Sequence, residues 1–316
     1  MSPQWRGWAV RVAATVFGVA VIAGIAAAMG DQDWHALARM LRLSTLPALL
    51  VAVGVTAIGL RCGMRSWTFT LAALGSPVPR RAGARMFVVG FLGKFVPGRL
   101  WGLVAQIAMG QRLGVPRARM LGTYVLNLVV VFVTAGAVGL LVAPVLPGPT
   151  PIWVAPSLLV VALLVARPHL VNRLARAAAR LTRRPDPEPL ADPAALRRSI
   201  VLQTVSWVLS GAHVWVIAVL LGADPLAAGP AAVGGYALAA AAGTLAIVVP
   251  DGAGVRELVL LAALTVVLPW PAAVTTAIAS RIVSTLAEVL WSVGVLLLTA
   301  NRFSPLRRPR EAAVAA

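Results

Sequence analysis

The sequence predicts an all-α polytopic membrane protein with about six spanning helices and two re-entrant helical hairpins, arranged as an inverted-topology repeat. Composition is the first observation. The chain is 59% hydrophobic and 12% charged with a mean hydropathy of +0.87, more apolar surface than one soluble core of this length can bury. The second is segment length: "GWAVRVAATVFGVAVIAGIAAAMG", "MLGTYVLNLVVVFVTAGAVGLLVA" and "SIVLQTVSWVLSGAHVWVIAVLLG" approach or exceed the roughly 20 residues a spanning helix needs. The third is charge placement. The Arg residues behind the net charge of +18 sit at segment ends and in one central loop, with Trp near the borders, which is positive-inside topology with interfacial anchors. A nucleic-acid module would need a polar basic face, and none is present.

Arg6 and Arg11 open the chain, and the apolar run after them is longer than a signal-peptide core, so 8–29 is expected as an uncleaved first helix. A second helix is expected over 44–60, followed by a basic cytoplasmic loop at 61–85. Residues 86–111 are flanked by basic clusters on both sides and contain "GKFVPGRLWG" at their middle, so both ends belong on the cytoplasmic side. A half of about 12 residues rises about 18 Å, past the midplane but not across. The segment is therefore expected as a re-entrant hairpin with Pro97 and Gly98 at its tip, a geometry tolerated only where protein or a polar cavity surrounds it.

Helix 118–142 then leads to an uncharged outer loop and helix 151–166. The basic stretch 167–198 is expected to be a cytoplasmic loop. Within it, 167–184 spaces Leu170, Leu174, Ala177, Ala178 and Leu181 on one face and Arg173, Arg176, Arg180 and Arg183 elsewhere, the pattern of an interfacial helix or of an ordinary positive-inside loop. Asp192 and Pro193 suit the N-cap and first turn of the next helix, expected over 199–221. Residues 231–267 run into and out of "PDGAG" between uncharged loops, a second hairpin entering from outside. Helix 272–300 and a cytoplasmic tail, 301–316, complete one membrane domain, 1–316.

The order of features recurs. Pro97 matches Pro250, Pro116 matches Pro271 and Asn127 falls beside Arg281, at offsets of 153 to 155 residues. Halves 1–142 and 151–300 each hold three spans, an odd number, so the second inserts upside down. Inverted repeats with broken helices meeting near the midplane point to a transporter-type site. The competing reading is two kinked helix pairs whose likeness is accidental.

Ionisable groups within spans cost about 2.5 to 3.5 kcal/mol each on insertion scales, so each needs a partner or a task. Lys94 and Arg99 flank the first tip and Gln106 follows it. Arg256 and Glu257 follow the second tip, while Arg281 and Glu288 lie on one face of the last helix two turns apart, as Tyr124, Asn127 and Thr134 do on helix 118–142. Two cations beside the N-terminus of a returning half-helix suit a phosphate. Alternatively, Lys94 snorkels to an interface, and Arg256, Glu257, Arg281 and Glu288 neutralise one another and lock the second hairpin against the last helix. Cys62 is the only cysteine and His35, His169 and His213 are scattered, so no metal site or cofactor is expected. No Walker loop or nucleophile elbow is present, and the expectation is not an enzyme.

At "GKFVPGRLWGLVAQIAMGQRLGVPRARM", "VVPDGAGVRELVL" and "SRIVSTLAEVLW" the chain resembles the lysylphosphatidylglycerol synthase transmembrane region family. That family includes the flippase part of bifunctional aminoacyl-phosphatidylglycerol enzymes and stand-alone membrane proteins associated with glycolipids and hopanoids. By the resemblance Pro97 and Gly98 match the first motif, Pro250, Gly252, Gly254, Arg256 and Glu257 the second, and Arg281 the Arg of the final helix. Many relatives carry an acid where this chain has Asn127, which puts proton coupling there in doubt. The resemblance implies lipid handling without lipid synthesis.

The expected function is a transporter or flippase for an anionic phospholipid or a lipid-linked (polyprenyl or glycolipid) substrate, in the plasma membrane with both termini cytoplasmic and no nucleic-acid partner. The alternative is a non-transporting subunit that presents lipid to a glycosyltransferase or another lipid-modifying enzyme.

Overall fold

The computed structural model describes residues 44–95, 100–145, 154–181, 190–246 and 250–300. The expected helix 8–29, the tip residues Pro97, Gly98 and Arg99, and the tail 301–316 lie outside the described residues. Ten α-helices follow in order: α1 (Leu46–Ala73), α2 (Arg80–Leu92), α3 (Leu100–Arg112), α4 (Arg117–Gly139), α5 (Val154–Ala166), α6 (Pro168–Leu181), α7 (Pro193–Leu220), α8 (Pro225–Leu245), α9 (Val255–Leu264) and α10 (Trp270–Ala300). Short 3₁₀ turns at Gly93–Phe95 and Pro250–Gly252 close α2 and open the approach to α9.

Among the described residues five helices are long and apolar enough to cross a membrane: α1, α4 extended to Val142, α7, α8 and α10. Their membership differs from the expectation. The described part of the expected helix 151–166 is α5, 13 residues rising about 20 Å; residues 151–153 lie outside the described residues. Helix α8, expected as a hairpin arm from 231, starts at Pro225 because the Asp224 carboxylate accepts the amides of Leu226 and Ala227 at 3.0 and 2.9 Å. That N-cap sets the start, and Pro230 lies inside the helix instead of bounding it. Arg61 and Arg65, assigned to a loop, sit on α1, which continues to Ala73. Charge ends an apolar window but not a helix, since Arg is a good helix former. Likewise the expected loop 167–198 holds α6 and the first turn of α7, capped by Asp192 as expected.

Large apolar residues face outward, and polar residues are buried among the apolar core clusters. Leu50, Leu290, Leu297 and Leu298 are exposed, whereas Thr56, Ser66, Ser199, Ser284 and Glu288 are buried. In water this would be inverted; next to lipid it is the favourable arrangement.

The most extensive contact joins α1 and α7, which run antiparallel. A side chain at Gly59 would collide with Ser210, so the two backbones meet there, and the Ser206 hydroxyl donates to the Gly59 carbonyl at 2.7 Å. Further along, Ser199 Oγ lies 2.9 Å from Ser66 Oγ and 2.8 Å from Thr70 Oγ1, and Ser66 Oγ also donates to the Ser199 carbonyl at 2.9 Å. Small residues and hydroxyls of this kind hold helices together where lipid removes the hydrophobic drive.

Around this pair the packing is reciprocal: α4 lies on α8 and α10 on α2, while α7 touches α4 and α1 touches α10. Each hairpin closes backbone to backbone, since a side chain at Gly102 would collide with Gly90 and one at Gly252 with Gly243. The two 3₁₀ turns touch one another.

Replacing Gly59 with Leu should push α1 off α7 and abolish a cooperative thermal transition in detergent. Ser199→Ala should keep the fold and lower stability by about 1 to 2 kcal/mol, near 0.6 kcal/mol per interhelical hydrogen bond lost, measured by the shift in melting temperature.

Candidate functional site

The site grows from "PDGAG". Pro250 has no amide hydrogen to donate, and the chain turns through Asp251 (φ 49°) and Gly252 (φ 64°), left-handed backbone that glycine adopts freely and Asp tolerates. Gly254 then stands at the N-cap of α9, where its amide donates to Glu257 Oε2 at 2.6 Å, so Glu257 ties down the first turn of its own helix. This turn brings the Asp251 carboxylate into the protein, 7% exposed.

Three cations converge on it. Lys94 Nζ, from the 3₁₀ turn that follows α2, lies 3.1 Å from Asp251 Oδ1 and Arg281 Nη2 of α10 lies 2.9 Å from Oδ2, with Arg256 Nη1 at 4.0 Å. Arg281 also donates to the Asp251 carbonyl at 3.4 Å and pairs with Glu257 Oε1 at 3.4 Å. Lys94 in turn reaches Glu288 Oε1 of α10 at 2.7 Å. Among the described residues Lys94, Arg256 and Arg281 match Asp251, Glu257 and Glu288 in number, three cations to three carboxylates. Aromatic faces complete the shells of two cations: Lys94 Nζ is 4.2 Å from the Phe91 centroid, and the Arg256 guanidinium is 4.9 Å from that of Tyr236.

Beside the network is a cavity of about 300 Å³ whose lining includes Lys94, Asn127, Gln203, Asp251, Arg256 and Glu288. It draws on α4 and the first hairpin as well as on α7, α8, α10 and the second tip. Its size is at the lower end for ligand sites, enough for a headgroup and too small for acyl chains.

The sequence profile of the family described as "Lysylphosphatidylglycerol synthase TM region" matches residues 15–292. The chain belongs to that family. No curated protein matches the chain.

In this lysylphosphatidylglycerol synthase TM region the residues singled out from sequence fall into three groups. Lys94, Asn127, Arg256 and Glu288 line the cavity. Glu257 and Arg281 stand behind it and hold the Asp251 turn, while Pro250, Gly252 and Gly254 shape that turn. Gln106 is elsewhere: its Nε2 donates to the Met86 carbonyl at 3.3 Å, fastening α3 to α2 where Gly90 leaves room for its amide. Pro97, Gly98 and Arg99 lie outside the described residues.

One expectation changes in substance. Lys94, expected with Arg99 to suit a phosphate, is held by the Asp251 and Glu288 carboxylates, as Arg281 is by Asp251 and Glu257, because a cation buried among apolar helices is stable only when paired. The expected pairing within the second half is also altered, since Glu288 takes its cation from Lys94 of the first hairpin. Asp251 stands out in the sequence as a charge between two apolar segments but is not among the expected site residues, because its place in a glycine-rich turn reads as that of a turn former. Reasoning from sequence missed Gln203, Trp207 and Tyr236 as cavity residues; a glutamine and a tyrosine in the middle of apolar spans were the available signals. His213 is fully buried, with Nε2 2.8 Å from Ser280 Oγ and Nδ1 at the Ser210 carbonyl, and it packs between α7 and α10.

A double-mutant cycle on Lys94→Met and Glu288→Gln should give a coupling of about 1 to 3 kcal/mol in detergent thermal unfolding, since the pair is buried and in contact. Additivity would place the two groups in separate environments. Asp251→Ala, which leaves Arg281 and Lys94 short of a partner, should cost more than either single change, about 3 to 5 kcal/mol.

Proposed function

We propose that this protein is a transporter or flippase that moves the headgroup of an anionic phospholipid or a lipid-linked (polyprenyl or glycolipid) substrate between leaflets, without catalysing a reaction on it. One observation carries the reading: Lys94 of the first hairpin pairs with Asp251 at the second tip and with Glu288 of the following helix, beside a headgroup-sized cavity. Polar groups are costly within a membrane, so a network of paired charges next to a cavity marks a pathway for something polar. The reciprocal packing of α4 on α8 and α10 on α2 supports two inverted halves, 1–142 and 151–300. On this reading "GKFVPGRLWG" and "PDGAG" are the tips of hairpins entering from opposite sides, although α8 alone is long enough to span. The protein resides in the plasma membrane with both termini cytoplasmic.

The deciding experiment reconstitutes purified protein into liposomes with labelled lipid and follows leaflet exchange. Exchange well above that of empty liposomes is expected, together with its loss in Arg281→Ala. Rates equal to empty liposomes for every anionic, polyprenyl and glycolipid probe would leave the non-transporting subunit as the better account. Arg99→Ala should fold and exchange more slowly; full activity would remove Arg99 from the pathway.

Topology has its own test. In a Cys62→Ser background, single cysteines at 148 and 226 should label from outside and one at 188 from inside. Flanks of one hairpin labelling from opposite sides would end the re-entrant reading.

A further inference from the structure

The cavity holds a chemical demand that the ion network does not meet. Glu288 Oε2, Asn127 Oδ1 and Arg256 Nη2 are buried with no hydrogen-bond partner among the described residues. All three residues line the cavity, and Glu288 and Arg256 are only 4% and 8% exposed. Asp251 Oδ2 also lacks a hydrogen bond beside this cavity but is ion-paired to Arg281 at 2.9 Å; the two acceptors and one donor above have neither kind of partner in the same small space. Buried polar groups without partners are costly and uncommon, so their convergence specifies what fits.

From this we infer that the cavity receives an uncharged, polyhydroxylated portion of a lipid headgroup, a glycosyl or glycerol moiety, while any phosphate of that lipid stays outside the ion network. The inference rests on the reading of the cavity as a headgroup site and narrows its ligand. A hydroxyl both donates and accepts, so one polyol can give hydrogens to Glu288 Oε2 and Asn127 Oδ1 and take one from Arg256 Nη2.

Neither charged alternative matches as well. A phosphate would meet only Nη2 of Arg256 as an unengaged donor group while facing the Asp251 and Glu288 carboxylates, whose paired cations Lys94 and Arg281 are already engaged. An ammonium would enter a cavity of about 300 Å³ already lined by Lys94 and Arg256, and like charges at short range repel. The Phe91 and Tyr236 faces that could stabilise it carry Lys94 and Arg256. The cavity-lining rings of Trp207 and Tyr124 bind no such cation and offer apolar surface to the C–H face of a sugar. The cavity's volume accommodates a headgroup without its chains.

The test titrates four lipids with matched acyl chains into the purified full-length protein and reads binding from thermal stabilisation. They are a monoglycosyl diacylglycerol, phosphatidylglycerol, phosphatidic acid, and phosphatidylethanolamine. The two hydroxylated headgroups should bind at least fivefold more tightly than phosphatidic acid and phosphatidylethanolamine. A smaller preference, or binding of none of the four, overturns the inference.

Asn127→Leu supplies a variant that should fold, because it replaces an unpaired polar group with an apolar one of similar volume. Its melting temperature without lipid should be unchanged or higher, and its affinity for the glycosyl lipid about five- to tenfold lower, as for one lost hydrogen bond. Unchanged affinity for the glycosyl lipid would overturn the proposal. Selective binding without leaflet exchange would uphold this inference and remove the transport reading; exchange of phosphatidic acid as fast as of the glycosyl lipid would do the reverse.

Discussion

The ion network centred on Asp251 is the interaction on which the rest of the structure depends. In a low-dielectric surrounding, six charged groups are tolerable only if they neutralise one another at hydrogen-bonding distance. They come from four places in the chain: the 3₁₀ turn that follows α2, the second tip, the start of α9 and the middle of α10. Each must arrive together with the others, so the network fixes the relative positions of elements that are almost 200 residues apart. The left-handed turn at Asp251 serves this requirement, because a straight helix through "PDGAG" would not bring its carboxylate to meet Lys94 and Arg281 together.

A second constraint is closeness. Gly59 against Ser210, Gly90 against Gly102 and Gly243 against Gly252 are contacts in which backbone meets its neighbour without a side chain between. Lipid offers no hydrophobic gain for bringing helices together, so dispersion at close range and hydrogen bonds to exposed carbonyls must do it. The apolar residues that would form a soluble protein's core instead face outward in large numbers along α1 and α10.

Much of this was legible in the sequence because charge and hydropathy speak directly about a bilayer. The membrane class, the break at "PDGAG", the cap at Asp192 and the importance of Lys94, Arg256 and Glu288 follow from residues too costly to place in lipid without cause. Helix limits were less legible, since Arg61 and Arg65 end an apolar window without ending α1, and Asp224 starts α8 upstream of Pro230. Partner choice was illegible. Nothing local says that Glu288 pairs with Lys94 from the other half of the chain instead of with Arg281 on its own helix. The role of Asp251 was illegible because a carboxylate beside glycines is common in turns, and only the three-dimensional arrangement turns it into a hub.

The crossing of α1 and α7 has a mechanical consequence. Gly59 and Ser206 each fall at the middle of a 28-residue helix, and from there the contact continues through Ser66, Thr70 and Ser199 to the Ala73 carbonyl, which accepts the amides of Ala191 and Asp192, so the two rods are joined over half their length and not at a point. Each half-rod is about 21 Å long, and a relative rotation of about 15° would swing the ends by about 5 Å, more than the hydrogen bonds of Ser66, Thr70 and Ala73 can follow. The two helices therefore behave as one stiff uncharged bar, and any movement of the charged turns is left to the shorter helices packed around it.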